Sequence, residues 1–241
     1  MANRQKIDDN KITEEGSYFN EWYGYKSMGI ILNDAAMLDE NGNTIPVLTN
    51  NDKAGNIRYQ DIDGDGKITA SADRVRLGNS LPDMQYGGSL WAEWKGLDFN
   101  LSFQGVGHQL AYWNWPGTPF NYQAYACPVN LIEIHWSPTA TDAENAKAKY
   151  PKLTTNSANI YAKSDFYIFN GAYMRIKNIT LGYTLPSEFT KKFFVNKLRV
   201  YFSANDLPAF SKYPEGFDPE WGDRAKDLIM SSYIFGLNVS F

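Results

Sequence analysis

Between Leu97 and Gly105 the chain reads "LDFNLSFQG", placing Leu97, Phe99, Leu101 and Phe103 on one side of an extended backbone and Asp98, Asn100, Ser102 and Gln104 on the other. A strict period of two is the signature of a strand with one apolar and one wet face. The same period recurs. Tyr86, Leu90, Ala92 and Trp94 alternate with Gln85, Ser89, Trp91 and Glu93, and Lys95-Gly96 supplies a tight reversal that predicts a hairpin. From Lys197 to Leu207, Leu198, Val200, Phe202 and Ala204 oppose Lys197, Arg199, Ser203 and Asn205. From Tyr233, the residues Tyr233, Phe235, Leu237, Val239 and Phe241 oppose Ile234, Gly236, Asn238 and Ser240. Between Ala172 and Leu185 the phase changes, from Met174 and Ile176 to Ile179, Leu181, Tyr183 and Leu185, which predicts a bulge near Lys177-Asn178. The fold class expected is all-β and antiparallel.

Connection lengths alternate as well. Lys95-Gly96 is short and Pro186 to Asn196 medium, whereas residues 106–171 and Pro208 to Ser231 are long. Short turns on one side and long loops on the other are the habit of a transmembrane β-barrel. Mean hydropathy is negative, and no run approaches the roughly 18 apolar residues of a membrane helix. Neither excludes a barrel, because each of its strands turns half its side chains to a polar lumen. Aromatics make up 15% of the chain, with 16 Tyr, 14 Phe and 7 Trp, and barrels carry girdles of them. A net charge of -4 argues against a nucleic-acid partner. The one cysteine, Cys127, rules out an internal disulfide framework and a cysteine-rich zinc site. "ANRQKIDDNK" after Met1 has no apolar core of a signal peptide, so the chain is expected to be cytoplasmic or a piece of something longer. Catalysis finds no footing: His108 and His135 lack HExxH spacing, no GxSxG occurs, and "GVG" at Gly105 to Gly107 leaves a strand without opening a helix.

"DIDGDGKITASADR", residues 61 to 74, matches the first half of an EF-hand loop. Asp61, Asp63 and Asp65 occupy positions 1, 3 and 5, Gly66 the sharp turn, and Lys67 and Thr69 positions 7 and 9. Position 12 is Ala72 instead of Glu, Asp73 falls one place late, and the flanks are not helical. Two readings stay open: a weak structural Ca²⁺ site drawn from Asp61, Asp63, Asp65, Lys67, Thr69 and Asp73, or a solvated turn of Asp and Gly. The long loop carries Tyr112, Trp113, Trp115, Phe120, Tyr122, Tyr125 and Trp136. Of these, Tyr112, Trp113, Trp115 and Trp136 are the candidates for stacking on cargo, against the alternative that the rings pack on one another. Asp98, Asn100, Ser102, Gln104 and Arg199 are the candidate lumen groups.

Six stretches carry a family resemblance, in order: "GNIRYQDIDGDGKIT" with "DRVRLGN", "YGGSLWAEWKGLDFNLSFQGV", "HWSPTATDAENAKAKYPKLT", "GAYMRIKNITLGYTLP", "LRVYFSANDLPAFSKYPEGFDPE" and "YIFGLNVSF". "NKITEEGSYFNEWYGYKSMGI" joins them as an upstream strand and loop. With these the chain resembles the C-terminal part of SusC/RagA-like TonB-dependent outer-membrane transporters. The resemblance implies about five or six strands of a barrel of about 22, with residues 1–83 a strand and Asp-rich extracellular loop and 84–241 barrel strands and loops. It implies location in the outer membrane of a Gram-negative bacterium, in contact with lipid, and import of glycan, oligosaccharide or peptide cargo. The partners implied are a SusD-like surface lipoprotein, TonB through an N-terminal part that this chain lacks together with the plug, and the barrel-insertion machinery. That machinery would read Tyr233, Phe235, Leu237, Val239 and Phe241 as an assembly signal. Two departures stand out: Asp73-Arg74 is displaced by one residue, and Pro208 sits where the family has an aromatic. The rival reading is a soluble all-β carbohydrate-binding module with a structural calcium.

Overall fold

The computed structural model describes residues 5–113, 133–154, 158–221 and 229–241. It divides into two compact units, Met1–Leu81 with Leu110–Phe169, and Pro82–Gln109 with Asn170–Phe241.

The first unit is built from short strands: β1 (Lys6–Asp8), β2 (Lys11–Thr13), β3 (Glu21–Tyr25), β4 (Ser27–Ile30), β5 (Ile57–Tyr59) and β6 (Arg74–Gly78). They form a four-stranded sheet in the order β1-β2-β3-β6 and a separate β4-β5 pair. The stretch read as an upstream strand and loop holds β2, β3 and β4, with Gly16 at φ 82° and Asn20 at φ 54° turning the chain between β2 and β3. Strands this short cannot bury much alone, and aromatics make up the difference. Trp22, Tyr25, Tyr59, Trp113, Tyr150 and Tyr167 are buried with Ile12, Ile31 and Ile57. Trp22 meets Tyr112 at 5.6 Å between ring centroids, and Trp113 meets Tyr150 at 5.4 Å. Asn159, 1% exposed, accepts from the Ile57 N–H at 2.8 Å and donates to the Ile57 carbonyl at 2.9 Å and to Asp52 Oδ2 at 2.8 Å. One buried amide thereby satisfies backbone groups that no strand reaches. Helix α1 (Asp142–Asn145) begins with a capping box in which Thr141 and Glu144 exchange hydrogen bonds.

The second unit is a wall. Strands β7 (Met84–Trp94) and β8 (Leu97–Gly107) form the expected hairpin; the chain then returns to the first unit, where β9 (Leu110–Tyr112) and β10 (Ile168–Asn170) pair with each other apart from the wall. The wall continues through β11 (Tyr173–Thr184), β12 (Lys197–Asn205) and β14 (Ser232–Ser240), in the order β14-β12-β11-β8-β7, with β13 (Phe210–Ser211) also on β11. The pairs of the wall are antiparallel. Lys95 and Gly96 both take positive φ, 48° and 85°, as a two-residue type I′ hairpin requires. Register shifts between Ile176 and Asn178 opposite β8, where the sequence phase predicts the bulge.

Because directly opposed residues share a face, the register decides what the alternation builds. Across the strands it lines up Leu90, Leu101, Ile179, Ala204 and Tyr233; then Ala92, Phe99, Leu181, Phe202 and Phe235; then Trp94, Leu97, Tyr183, Val200 and Leu237. The other face aligns Ser89, Ser102, Asn178, Asn205 and Ser232, and Glu93, Asp98, Gly182, Tyr201 and Gly236. Leu181 is 53%, Leu237 67% and Phe235 82% exposed. No second layer covers that face among the described residues.

Candidate functional site

On the polar face of the wall, Asp98 of β8 and Arg199 of β12 reach across the intervening β11. Arg199 donates through Nε and Nη2 to the two Asp98 oxygens at 2.8 and 2.5 Å. The bridge passes over Gly182, the β11 residue in register with Asp98; a Cβ there would strike Arg199 Nη2 and Asp98 Oδ2. A second cluster lies nearer the long loops. Arg175, 1% exposed, places Nη2 2.5 Å from both oxygens of Asp218 and Nε 3.1 Å from Glu220 Oε2. Gln104 donates to Glu220 Oε1 at 2.7 Å, and Lys177, at the bulge, pairs with Asp206 at 2.5 Å. The segment "YPEGFDPE" is thereby strapped to the wall. Of this set the sequence points to Asp98, Gln104 and Arg199, with Asn100 and Ser102 on the same face of β8, but misses Arg175, Asp218 and Glu220. The available signal was Arg175 standing among apolar neighbours and two acids flanking Pro219 in a motif with no other role.

The aspartate loop belongs to the first unit. Carboxylate oxygens of Asp61, Asp63 and Asp65 all lie within 4.8 Å of one another. Backbone N–H groups of Gly64 and Gly66 donate to the two Asp61 oxygens at 2.7 and 2.8 Å, and Lys67 N–H donates to Asp65 at 2.8 Å. Gly64 and Gly66, at φ 76° and 82°, supply the left-handed backbone this winding needs. An all-oxygen cluster suits a hard cation such as Ca²⁺, and the three carboxylates fit one. Asp73 is placed apart from them, fully buried, its oxygens accepting from Ile62 N–H at 2.7 Å and Thr69 N–H at 2.6 Å. It clasps the two ends of the loop. Burial pushes its carboxyl up, but the Thr69 and Ile62 donors outweigh that and hold it below the ordinary carboxylate value. Thr69 lends Asp73 its N–H, and Lys67 lies two residues beyond Asp65, to which its own N–H donates.

Of the candidate stacking residues, Tyr112, Trp113 and Trp136 are in the interior of the first unit. Trp113 is 0% exposed, Tyr112 and Trp136 are buried, and Trp136 Nε1 donates to the Leu32 carbonyl at 2.8 Å. All three are packed inward in this conformation, and Trp136 also stands on the wall of the cleft described below. Burial raises the Tyr112 phenol well above its ordinary value. Trp115, Phe120, Tyr122 and Tyr125 lie outside the described residues. The same unit carries a polar cleft of about 1,220 Å³, lined among others by Asn33, Asp34, Asn51, Lys53, Asp142 and Lys152. Such a lining can hydrogen-bond a polar oligomer. The terminal stripe runs along the outer side of β14, with Tyr233, Phe235, Leu237 and Val239 exposed on the apolar face and Phe241 just beyond the strand.

No family model matches the chain. It is 29% identical over 95% of its length to TonB-dependent receptor P3 of Formosa agariphila, and 26% identical, again over 95%, to TonB-dependent receptor P39 of the same organism. It spans 21% and 26% of those proteins' lengths, so about a fifth to a quarter of the curated relatives it matches. Among solved structures, that of the RagAB peptide transporter matches the whole chain with a TM-score of 0.64 and 22% identity, over 24% of its own chain. The same importer in its closed-closed state gives a TM-score of 0.63, also at 22% identity, over all of this chain and 25% of that one. By sequence and by fold the chain therefore resembles a segment of a SusC/RagA-like TonB-dependent receptor, a stretch of antiparallel barrel wall with its loops.

Proposed function

We propose that this chain forms part of the wall and outer loops of a TonB-dependent importer in the outer membrane of a Gram-negative bacterium. Its apolar face meets lipid, and its polar face, with the Asp98–Arg199 and Arg175–Asp218 pairs, lines the lumen. The whole importer carries oligosaccharide or peptide cargo, receives it with a SusD-like surface lipoprotein, and draws energy from TonB through segments outside this chain. The solved neighbours named as peptide importers favour peptide as much as the sequence favours glycan. The aspartate loop holds Ca²⁺ through Asp61, Asp63 and Asp65, and stiffens an extracellular loop. The terminal stripe from Tyr233 to Phe241 is read by the insertion machinery. The role is passage, not catalysis.

The observation that carries this reading is the register that gathers five independently alternating strands into one continuous apolar face, with no covering layer among the described residues. A soluble carbohydrate-binding module would have to bury Leu181, Phe235 and Leu237 under a second sheet. The test is to express the full-length protein and separate membranes by density. It should be found with the outer membrane and migrate faster on gels when unheated than when boiled, and a strain lacking it should lose growth on one polymeric nutrient. Recovery in the soluble fraction would sink the proposal.

A further inference from the structure

At the long-loop end of the wall the apolar face changes character. The last full row there is Tyr86, Gly105, Met174 and Phe210, and the next pairs Met84 with Gly107. Two small residues therefore occupy β8 where bulkier side chains stand on the flanking strands. The Tyr86 ring leans over Gly105, where a Cβ would collide with it, and its hydroxyl donates to the Tyr173 carbonyl at 3.2 Å. Between this ring and Phe210 lies a cavity of about 560 Å³, lined by Met84, Tyr86, Ala172, Met174 and Phe210, with His108 and Lys212 also on its wall. Met84 is 52% and Phe210 63% exposed. His108 and Lys212 are exposed too.

An apolar trough with a lysine and an imidazole on its wall fits an amphiphile, with chain in the trough and anion beside those two side chains. Continuity decides which amphiphile. The trough opens on the apolar face proposed above to meet lipid, at the end of the strands from which the long loops leave. We propose that this groove seats an acyl chain of an outer-leaflet lipid whose phosphate lies against Lys212 and His108. The inference rests on the membrane reading above and adds to it a defined lipid site at one place on the wall. Met84, Met174 and Phe210 hold the chain, and Lys212 sets the preference for an anionic headgroup.

The test uses the full-length protein purified from its own outer membrane in mild detergent, with retained lipid extracted and quantified by mass spectrometry and phosphorus analysis. The wild type is expected to keep about one phosphorylated lipid per protein through size exclusion. Ala172→Trp, which fills the trough, and Lys212→Glu, which reverses the charge on its wall, should each cut retention at least five-fold. Heat-dependent gel mobility should not change. Lys212 is exposed, so its variant reports binding even if the tryptophan disturbs folding. Equal retention in the wild type and Lys212→Glu overturns the site, as does a wild type that keeps no lipid, while outer-membrane location leaves the importer reading standing. A protein found outside the outer membrane overturns both.

Discussion

Replacing Asp218 by alanine would leave Arg175, 1% exposed, without its closest partner. Both Asp218 oxygens stand 2.5 Å from Nη2, and the Asp218 side chain is itself only 8% exposed. Removing one member of a buried pair costs about 3 to 5 kcal/mol, because the remaining charge stays out of water. Glu220 still faces Nε at 3.1 Å and is 23% exposed, which argues for the lower end, about 3 kcal/mol. The cost falls on docking of the strap from Tyr213 to Glu220, since the pair joins that segment to β11. At about 1.4 kcal/mol per factor of ten, the undocked population rises roughly 100-fold. Hydrogen exchange on the full-length protein in detergent reads this directly. The Phe217 N–H bonded to Pro214 and the Trp221 N–H bonded to Asp218 should lose about two decades of protection. Arg76, paired with Glu14 at 3.6 Å and 48% exposed, is the control. Arg76→Ala should change exchange near it by less than about 1 kcal/mol. If Asp218→Ala left strap exchange within three-fold of wild type, the pair would not be what holds the strap.

Asp61→Ala or Asp65→Ala should abolish a calcium binding no tighter than about 10⁻⁴ M; calorimetric heats identical to wild type would reject the site. Gly182→Ala should force the Asp98–Arg199 bridge apart at a cost of about 1 to 3 kcal/mol, and a double-mutant cycle on Asp98 and Arg199 should then show their coupling gone; coupling preserved in the alanine background would refute this. Asp73 has a lower pKa folded than unfolded, so its stabilisation is full above the ordinary value of about 3.9 and is lost as pH falls through the lower folded one. Asp73→Asn should therefore flatten the pH dependence of loop stability below about pH 4, and a wild-type slope in the variant would count against the clasp.

The wall was legible because its physics is local. A period of two, a Lys-Gly reversal and one change of phase place β7, β8, β11, β12 and β14, and lipid or solvent has no further say in them. β12 stops at Asn205 instead of Leu207, because Asp206 takes φ 49° and the chain rejoins β11, with Asp206 and Leu207 N–H donating to the Lys177 and Ile176 carbonyls. The first unit was much less legible. Its strands run three to five residues, too short to show a period, and its order comes from distant pairs such as Asn159 with Ile57. The aromatics at Tyr112, Trp113 and Trp136 looked the same in sequence whether they faced cargo or core. Arg175 and Asp218 are 43 residues apart, and nothing between them announces that they meet.

The shared eleven-residue length of β7 and β8 acts as a ruler. At about 3.4 Å per residue, ten steps measure about 34 Å along the strand. In the membrane wall proposed above, an apolar band of about 25 Å would be spanned only by leaning, at an angle near 43°, inside the roughly 35 to 45° of membrane barrels. Upright, the same strands would push Met84 or Trp94 out into water at one rim. A leaning wall cannot close on itself level, so each successive strand must climb along its neighbour. The girth and slant of the whole cylinder are thus partly written into the length of one hairpin.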